Sequence, residues 1–396
     1  MKNEFIPSHL RRTWAQIDLD AAEYNFKELS RIAGGRKTFA VIKADAYGHG
    51  AVRLARLYSE LGADFFAVSN LSEALELRGA GIREPILILG FIDPASASVA
   101  ADFDISLSVY SLPYARALSE VLSGDGKSVK IHLKFDTGMG RIGFIPEETG
   151  ENALPDALSA TALDGLVLDG AFTHFAVADG GDDCAMTQYT ENQARRFDLA
   201  MNYLALHGVN PRIKHVSNSA ATLDYPELCR DAVRLGISLY GLAPSFDIKN
   251  SFRPRPVMTL KSVISHIKNI AEGTPISYGC TFVAPKPMRV ATVPIGYADG
   301  FFRSSSPRGV RLTVRGKDVP IVGRVCMDQL MIDLTDTDAE LFDTVSVFGE
   351  GAYESADSFA GKNATIGYEA VCAVARRVPR IYIRNGRIDS ISDRLN

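Results

Sequence analysis

The pattern of apolar and polar positions between residue 38 and about residue 240 alternates two kinds of segment. Short runs rich in β-branched residues predict strands, and longer runs with apolar residues three and four positions apart predict helices, as in HGAVRLARLYSEL (49–61) and LSEALELRGAG (71–81). The strand-like runs are TFAVIK (38–43), FFAVS (65–69), PILIL (85–89), ISLSV (105–109), VKIHLK (129–134), LVLDGAF (166–172), RIKHVS (212–217) and AVRLGI (232–237). Parallel strands covered by helices are buried on both faces, which accounts for their continuous apolar character.

Eight such units over ~200 residues are the number that closes a (βα)₈ barrel. An open doubly wound sheet is the alternative, but its glycine fingerprint GxGxxG does not follow the first strand. TWAQIDLD (13–20) reads as a ninth strand, one more than the barrel needs. We therefore expect it to pair outside the barrel, with the C-terminal part of the chain.

The pattern changes after APSFDIKNSFRPRP (243–256), a proline-containing stretch without periodicity that predicts a linker. Beyond it, VMTLKSVISHI, MRVATVPI, VRLTVRG, QLMIDL and DTVSVFG predict short strands, with a single helical segment near residues 366–377. The fold class is therefore α/β with two domains. We expect a (βα)₈ barrel over residues 16–245 and a mostly antiparallel β domain over residues 246–396, together with residues 1–15.

The composition is that of an ordinary globular protein. The 396 residues are 46% hydrophobic and 23% charged, and the net charge of −4 offers no basic surface for nucleic acid or for an acidic membrane. The five cysteines form no CxxC pair, which favours free thiols in a reducing compartment and argues against a disulfide framework or a metal site. No signal peptide and no apolar run near the ~20 residues of a membrane helix is visible. We expect a cytoplasmic protein.

Catalytic groups of a (βα)₈ barrel lie in the loops at the carboxyl ends of the strands. The polar residues at these predicted ends are Lys43, Tyr47, Lys134, Arg141 (the last residue of DTGMGR), His174, Asn218, Ser219 and Arg234. Each has an ordinary structural explanation, such as a solvated lysine, a turn, a satisfied buried histidine or a helix N-cap. Because all the strand ends face one mouth of the barrel, we expect catalysis or anion binding there.

Lys43 ends an apolar strand, where burial lowers the pKa of its amine and makes it a usable nucleophile. Asn218 and Ser219 precede a predicted helix, whose first N–H groups can bind phosphate as well as a capping side chain. A desolvated lysine and a phosphate seat suggest pyridoxal 5'-phosphate (PLP). This cofactor needs an amine, a phosphate anchor and a partner for its ring nitrogen.

Nine segments resemble the motifs of the alanine racemase family, in order and from end to end of the chain: AVIKADAYGHG, LKFDTGMGRIG, FTHFAVAD, SNSAATL, VRLGISLYGLAPS, PISYGCTF, PIGYADG, GRVCMDQ and RVPR. The resemblance implies a PLP-binding barrel, a C-terminal β domain and a head-to-tail homodimer. In that arrangement the partner's β domain completes each active site. The implied substrate is a small amino acid, and the implied reaction is racemisation of alanine.

The resemblance also implies residue roles. Lys43 carries PLP and is one catalytic base, and Tyr278, from the partner subunit, is the second; racemisation needs acid/base groups on both faces of the reacting carbon. Arg234 faces the ring nitrogen, donates a hydrogen bond to it and so leaves it without a proton. The implied cofactor contacts are Tyr47, His174, Asn218, Ser219, Arg234, Gly236, Ile237 and Arg376.

Further positions match the substrate site and its entrance. Arg141 and Met327 match residues that serve the substrate carboxylate, and Lys134 matches a lysine that is often carbamylated. The implied entrance corridor consists of Asp179, Tyr297, Arg303 and Arg324. One position departs from the family: Arg376 stands where a tyrosine usually contacts the phosphate and narrows the entrance. A serine racemase, or one of broader specificity, is therefore the alternative to an alanine racemase.

Two other functions share parts of this architecture. A PLP-dependent amino-acid decarboxylase would place an acid opposite the ring nitrogen and use a catalytic cysteine, whereas this chain has Arg234 there and Cys326 beside Met327. A non-catalytic PLP carrier would lack the β domain after residue 246. If the chain racemises alanine, the resemblance implies that its D-alanine feeds peptidoglycan synthesis.

Overall fold

The computed structural model of the chain describes residues 6–147 and 152–393. Its strands are β1 (Thr13–Asp18), β2 (Lys37–Val41), β3 (Phe65–Val68), β4 (Ile86–Ile88), β5 (Ile105–Val109), β6 (Val129–Lys134), β7 (Leu166–Phe172), β8 (Ile213–His215), β9 (Ala232–Leu235), β10 (Met258–Val263), β11 (His266–Ile270), β12 (Pro275–Ile276), β13 (Phe282–Val283), β14 (Met288–Val293), β15 (Arg311–Val314), β16 (Lys317–Pro320), β17 (Leu330–Asp333), β18 (Thr344–Phe348), β19 (Arg380–Arg384) and β20 (Arg387–Ser392). Its helical segments are α1 (Leu19–Ile32), α2 (Lys43–Tyr47), α3 (Ala51–Glu60), α4 (Leu71–Gly79), α5 (Ala97–Asp102), α6 (Leu112–Gly124), α7 (Leu154–Thr161), α8 (Cys184–Leu206), α9 (Ser219–Asp224), α10 (Ala356–Lys362) and α11 (Gly367–Cys372).

Strands β2 to β9 pair in sequence order and close into an eight-stranded barrel, and β9 pairs in parallel with β2. Each of the eight predicted strand-like runs overlaps one of these strands, so the predicted (βα)₈ barrel is confirmed. Several helices between the strands begin at side-chain caps. Asn70 caps α4 and Ser111 caps α6, each by accepting a backbone N–H through its side-chain oxygen.

The C-terminal part is built on a seven-stranded sheet in the order β16-β15-β18-β10-β1-β19-β20, with a three-stranded sheet β11-β14-β17 beside it. Strand β1 pairs antiparallel with β10 and parallel with β19. The prediction that TWAQIDLD pairs outside the barrel is therefore confirmed. Trp14 of this strand is fully buried beside Val263 and Ile381. The burial of these apolar side chains favours the pairing of β1 outside the barrel.

Three details of the C-terminal part differ from prediction. The run VMTLKSVISHI is two strands, β10 and β11, because the chain turns at Ile264 and Ser265 and enters a second sheet. The single predicted helical segment near 366–377 is wrong: there are two helices, α10 and α11, and α11 ends at Cys372. The hairpin of β19 and β20 was not predicted.

The two parts of the chain meet at the barrel mouth. Residues 243–256 form neither helix nor strand. Helix α11 packs against α2, so closely that a Cβ atom on Gly48 would lie 2.3 Å from the carbonyl oxygen of Val371. Glycine at this position, with φ of +80°, is therefore required by both space and backbone conformation. None of the described helices is long and apolar enough to span a membrane.

Candidate active site

Lys43 lies at the start of an unusual turn. The predicted strand TFAVIK is shorter than expected, because β2 ends at Val41 and Lys43 opens α2. Residues 44–47 all have φ between 51° and 55°, so α2 is a left-handed turn built without glycine. Left-handed backbone costs a residue with a side chain roughly 1–2 kcal/mol. Such strain persists only where the surroundings hold it in place, which is typical of functional sites.

Hydrogen bonds from both ends hold this turn. The carboxylate of Glu73 accepts the backbone N–H of Ala44 at 2.8 Å, and that of Asp45 accepts the backbone N–H of Ala51 at 2.8 Å. The turn therefore presents Lys43 at the barrel mouth. Burial, followed by the nearby cation Arg141, lowers the pKa of the Lys43 amine. The predicted desolvation of this lysine is confirmed.

Tyr47, Ser219 and Gly236 lie close together, and a side chain at Gly236 would fill the gap beside the two hydroxyl groups. A Cβ atom built on Gly236 would lie 3.1 Å from the Tyr47 hydroxyl and 3.8 Å from Ser219 Oγ. The Gly236 N–H donates to Ser219 Oγ at 2.9 Å, and Ile237 begins the next 3₁₀ turn. Burial raises the pKa of Tyr47, so its hydroxyl stays a neutral donor. Neutral hydroxyls and backbone N–H groups around such a space suit a phosphate.

Asn218 has a structural role that the sequence allowed. It is the N-cap of α9, and its side-chain oxygen accepts the backbone N–H of Ala221 at 3.0 Å. The cap fixes the start of the helix on which Ser219 lies. The predicted N-cap is therefore confirmed, and Asn218 affects the group of Tyr47, Ser219 and Gly236 through the position of Ser219.

Arg234 is buried at the carboxyl end of β9. Its NH1 group contacts His215 Nδ1 at 3.0 Å and donates to the His215 carbonyl oxygen at 2.7 Å. Its NH2 group donates to the carbonyl oxygens of Thr173 (2.8 Å) and Val216 (3.0 Å) and lies 3.2 Å from His174 Nδ1. The described part of the chain supplies no acceptor for the remaining Nε–H. This donor is therefore available to a ligand in the barrel.

His174 and Lys134 are both affected by the cations around them. Burial, and then Arg234, lowers the pKa of His174 well below its usual value, so the imidazole is neutral. Burial, and then Arg234, lowers the pKa of Lys134 to about 7. The Lys134 amine donates to the carbonyl oxygen of Phe135 at 2.9 Å and lies 5.3 Å from the ring centre of Phe172. A substantial fraction of this amine is therefore uncharged near neutral pH.

The segment DTGMGR is a tight loop around one carboxylate. Asp136 accepts the backbone N–H groups of Gly138 (3.0 Å), Gly140 (3.0 Å) and Arg141 (2.8 Å). Although burial opposes it, these donors hold the pKa of Asp136 below its usual value. The Arg141 side chain is exposed and has no ion pair within residues 6–147 and 152–393.

Tyr278 and Met327 lie in a different place, on the β domain. They line an open groove of about 770 Å³ with Lys268, Cys326 and Asp328. Tyr278 is 68% exposed and Met327 is 53% exposed. No described barrel residue lines this groove, so Tyr278 and Lys43 of one chain do not share it.

The backbone before Tyr278 is strained. Ser277 has φ of 65° and ψ of −177°, a conformation found almost only in glycine. The Ser277 hydroxyl donates to the carbonyl oxygen of Arg324 at 2.7 Å, which holds the strained residue in place. Strand β12 ends at Ile276, the residue before Ser277, so the bend at Ser277 turns Tyr278 out of the sheet.

The predicted entrance residues are scattered over both domains. Tyr297 is 42% exposed in a 3₁₀ turn, Arg303 and Arg324 are exposed, and the carbonyl oxygen of Asp179 accepts the Ser245 hydroxyl at 2.6 Å. Arg376 follows α11 and is exposed. Its guanidinium makes no hydrogen bond or ion pair with the part of the chain that the structure describes.

Sequence reasoning missed the buried residues that support these groups. Asp299 is fully buried and binds both Arg12 and Arg377, each at 2.8 Å, which ties the segment of Arg376 to the turn of Tyr297. His215, the partner of Arg234, lies in the strand-like run RIKHVS. A histidine inside an otherwise buried strand is a usable signal, because a buried polar group requires a partner.

Comparisons with known proteins agree with this geometry. The family model described as "Alanine racemase, N-terminal domain" matches residues 17–244, and the model "Alanine racemase, C-terminal domain" matches residues 257–382. An alanine racemase of Desulforamulus reducens is 44% identical over 373 residues, which is 93% of this chain and 98% of that protein. One of Methanococcus maripaludis is 44% identical over 375 residues, again 93% of this chain and 98% of that protein.

Solved structures agree as well. An alanine racemase of Clostridium difficile superposes with a TM-score of 0.90 at 39% identity and covers 97% of this chain and 99% of its own. An alanine racemase of Bacillus anthracis, described with bound L-Ala-P, superposes with a TM-score of 0.91 at 39% identity and covers 98% of each chain. Both family models and the relatives span nearly the whole chain, and the chain therefore belongs to the alanine racemase family.

Proposed function

We propose that this chain interconverts L- and D-alanine with PLP as cofactor, using Lys43 and the partner subunit's Tyr278 as two bases. One observation carries the proposal: a lysine of lowered pKa shares the barrel mouth with the hydroxyl groups of Tyr47 and Ser219 beside Gly236 and with a buried arginine, in a chain of the alanine racemase family. Both domains of that family span the chain, which favours a racemase over a carrier built on the barrel alone.

Alanine racemases depend on PLP, and the residues of this chain fit that group. The space left by Gly236, between the Tyr47 hydroxyl and Ser219 Oγ, suits a phosphate, and Arg234 Nε–H is a free donor for a ring nitrogen. When bound, PLP withdraws electrons from the substrate α-carbon and makes its proton acidic. The residues that we propose hold it are Lys43, Tyr47, His174, Asn218, Ser219, Arg234, Gly236, Ile237 and Arg376.

The two bases transfer the α-proton on opposite faces of the substrate. Lys43 removes or returns the α-proton on one face through its amine, whose lowered pKa leaves more of it unprotonated at neutral pH. Tyr278 of the partner subunit does the same on the other face through its phenol oxygen. We propose that Arg141 of the barrel lies beside this phenol oxygen in the dimer. Arg141 and Met327 would bind the substrate carboxylate.

The second base requires a second copy of the chain. Tyr278 and Met327 are exposed in a groove that contains no described barrel residue, which supports a homodimer in which each β domain meets the partner's barrel mouth. We propose that Asp179, Tyr297, Arg303 and Arg324 form the entrance to this shared site. A cytoplasmic location is also proposed, supported by the five cysteines, which carry free thiols.

Proton exchange tests the proposed function directly. The enzyme with added PLP is incubated in D₂O with L- or D-alanine, L-serine or L-lysine, and the α-proton signal and the enantiomers are followed. Deuterium incorporation with inversion of alanine supports the proposal. Loss of the carboxyl carbon as CO₂ would replace it with a decarboxylase, and comparable inversion of serine would replace it with a broader racemase.

We expect Arg376 to influence the preference of the enzyme between alanine and serine. A guanidinium at the inner gate can donate to a hydroxyl-bearing side chain, whereas the family's tyrosine narrows the passage. We expect Arg376→Tyr to raise the alanine-to-serine ratio of kcat/KM about tenfold, the effect of one hydrogen bond. Steady-state assays of both substrates measure it. Arg376→Lys keeps the charge and is the control, and an unchanged ratio in Arg376→Tyr contradicts the idea.

Lys134 is expected to form a carbamate with CO₂. Its uncharged amine forms a bond to the carbon of CO₂ and releases one proton, and the nearby cations Arg234 and Arg141 stabilise the anion produced. Because the pKa is about 7, the carbamate should accumulate as the pH rises through neutrality. We expect one carbamate carbon signal in ¹³C NMR of enzyme equilibrated with ¹³C-bicarbonate. The signal should be absent from Lys134→Ala and present in Lys130→Ala, and its persistence in the former excludes Lys134.

A further inference from the structure

A line of buried side chains runs from Arg234 through the barrel towards the amino ends of the strands. Arg234 NH1 lies 3.0 Å from His215 Nδ1, and His215 Nε2 lies 2.9 Å from His132 Nδ1. His132 Nε2 in turn lies 3.6 Å from Asp169 Oδ2. At the far end, Arg212 Nε and NH2 donate to Asp169 Oδ1 and Oδ2 at 2.6 and 2.8 Å. We call Arg234, His215, His132 and Asp169 the histidine line.

The two histidines are held rigidly and are neutral. The His215 ring is stacked between Phe39 and Phe172, with ring centres 4.5 and 4.9 Å away. Burial lowers the pKa of both His132 and His215 below the usual value. Gly170 makes room for the His132 ring, since a Cβ atom there would lie 2.3 Å from its Nδ1. Neither ring can therefore turn away or pick up a proton easily.

The tautomers of these neutral rings follow from either end of the line. A guanidinium only donates, so His215 Nδ1 must be an acceptor and the ring proton must lie on Nε2. His215 then donates to His132 Nδ1, and the His132 proton must lie on Nε2, facing Asp169. From the other end, the Asp169 carboxylate favours a proton on the His132 nitrogen that faces it. Both ends demand the same arrangement.

We propose that Asp169 is a positioning residue for Arg234, which it orients through His132 and His215 by fixing the tautomers of both rings. The proposal deepens the proposed function, because it rests on Arg234 facing the cofactor ring nitrogen. With His215 Nδ1 held as an acceptor, Arg234 NH1 has a fixed partner. The guanidinium then keeps its Nε–H free for the cofactor. Asp169 itself touches neither cofactor nor substrate in this arrangement.

The line also answers an electrostatic problem. Arg234 is a buried cation that, among the described residues, pairs with no carboxylate at contact distance. A buried charge must be met by oriented dipoles or by a counter-charge. Backbone carbonyl oxygens accept hydrogen bonds from Arg234 NH2 and one hydrogen bond from NH1. His215 Nδ1 can accept the second hydrogen bond from NH1 only when the ring proton is on Nε2. Asp169 is the carboxylate at the end of the line, and it favours that tautomer.

Replacement of Asp169 by asparagine should move the ring protons of His132 and His215 from Nε2 to Nδ1. The amide oxygen can accept only one of the two Arg212 contacts, and we expect it to keep the shorter one, to Nε at 2.6 Å. The amide NH₂ then stands at the Oδ2 position, where it faces His132 Nε2. His132 then carries its proton on Nδ1 and His215 carries its proton on Nδ1, which points a donor at the donor Arg234. A wrong tautomer of this kind is costly when an aspartate that orients a catalytic histidine is changed to asparagine. In the double variant Asp169→Asn/Arg212→Gln, the amide oxygen is free to face His132 again.

The test combines ¹⁵N NMR of histidine-labelled enzyme with kinetics of the PLP-loaded dimer. We expect protonated Nε2 in His132 and His215 of the wild type and of Arg212→Gln, protonated Nδ1 in Asp169→Asn, and the wild-type tautomers again in the double variant. The kcat should fall about 10- to 100-fold in Asp169→Asn and recover at least half of that loss in the double variant.

The NMR arm is independent of racemisation, so it separates this proposal from the proposed function. A wild-type His215 protonated on Nδ1 overturns the proposal, even if Asp169→Asn does not fold. So does an Asp169→Asn enzyme that loses activity with unchanged tautomers, which is the behaviour of a merely structural ion pair. Absence of racemisation by the wild type, with the expected tautomers, would instead contradict the proposed function.

Discussion

Lys43→Ala is expected to lower racemisation of alanine by ~10⁴-fold or more, because it removes the attachment point of the cofactor and one of the two bases together. The structure gives this amine the properties of a base. Burial and the cation Arg141 lower its pKa, and the left-handed turn fixes it at the barrel mouth. Initial rates in both directions, together with the visible absorbance of lysine-bound PLP, measure the effect.

Two further variants make this result specific. Lys43→Arg keeps the positive charge, but a guanidinium does not lose its proton in a protein, so this variant should be equally inactive. Lys37→Ala changes the lysine that begins β2, where it pairs with Asp64 at the surface, and should retain full activity. A Lys43→Ala enzyme within tenfold of wild type would show that another group is the base.

The barrel was predictable because most of its strands are buried along nearly their whole length. In ISLSV (105–109) every residue is buried, and such a run between two amphipathic helices has few other interpretations. The short helix α10 was missed for the opposite reason. Its sequence, ADSFAGK, contains only one large apolar residue, Phe359, so no helical period is visible.

The turn at Lys43 could not be predicted from its own sequence. KADAY contains residues that form right-handed helices as readily as other structures, and no glycine marks the reversed backbone. The partners that hold the turn are distant in sequence: Glu73 is 29 positions from Ala44, and Val371 belongs to the other domain. Local pattern therefore indicated where the lysine lies, and tertiary contacts decide its backbone.

The predicted strand ends indicated most residues of the candidate site, but they could not indicate the buried residues that position them. Lys43, Tyr47 and Ser219 each follow a strand, where side chains reach the barrel mouth. His132 and Asp169 lie inside strands, and their significance depends on which strands become neighbours. The roles of all these residues remain predictions, and the variants described above test them.

The second large effect is expected at Tyr278. Tyr278→Phe removes only the phenol oxygen, and kcat for racemisation should fall by ~10²–10⁴-fold, the contribution of one general acid/base. The loss should be asymmetric. If Lys43 serves one face of the substrate and Tyr278 the other, one enantiomer of alanine should still exchange its α-proton in D₂O without inverting. The other enantiomer should hardly exchange. Equal residual exchange of both would contradict the two-base mechanism.

The same variant reports whether the site is shared. In a dimer formed from one Lys43→Ala chain and one Tyr278→Phe chain, one barrel has its own Lys43 and receives an intact Tyr278 from the partner. Random reassociation of equal amounts makes about half of the dimers mixed, with one complete site in each, so activity should recover to about a quarter of wild type. A mixture of Tyr278→Phe with folded Lys43→Arg should recover the same fraction of wild-type activity.

Recovery of activity in the mixed dimer would show that two chains share one active site. Tyr278 is 68% exposed in a groove that no described barrel residue lines, so we expect it to meet the Lys43 of the partner subunit. Two inactive chains can regain activity only if the β domain of one reaches the barrel of the other. Tyr297→Phe, a change to another exposed tyrosine of the β domain that leaves both bases intact, should reduce activity far less than Tyr278→Phe. No recovery after verified subunit exchange would mean that each chain builds its site alone.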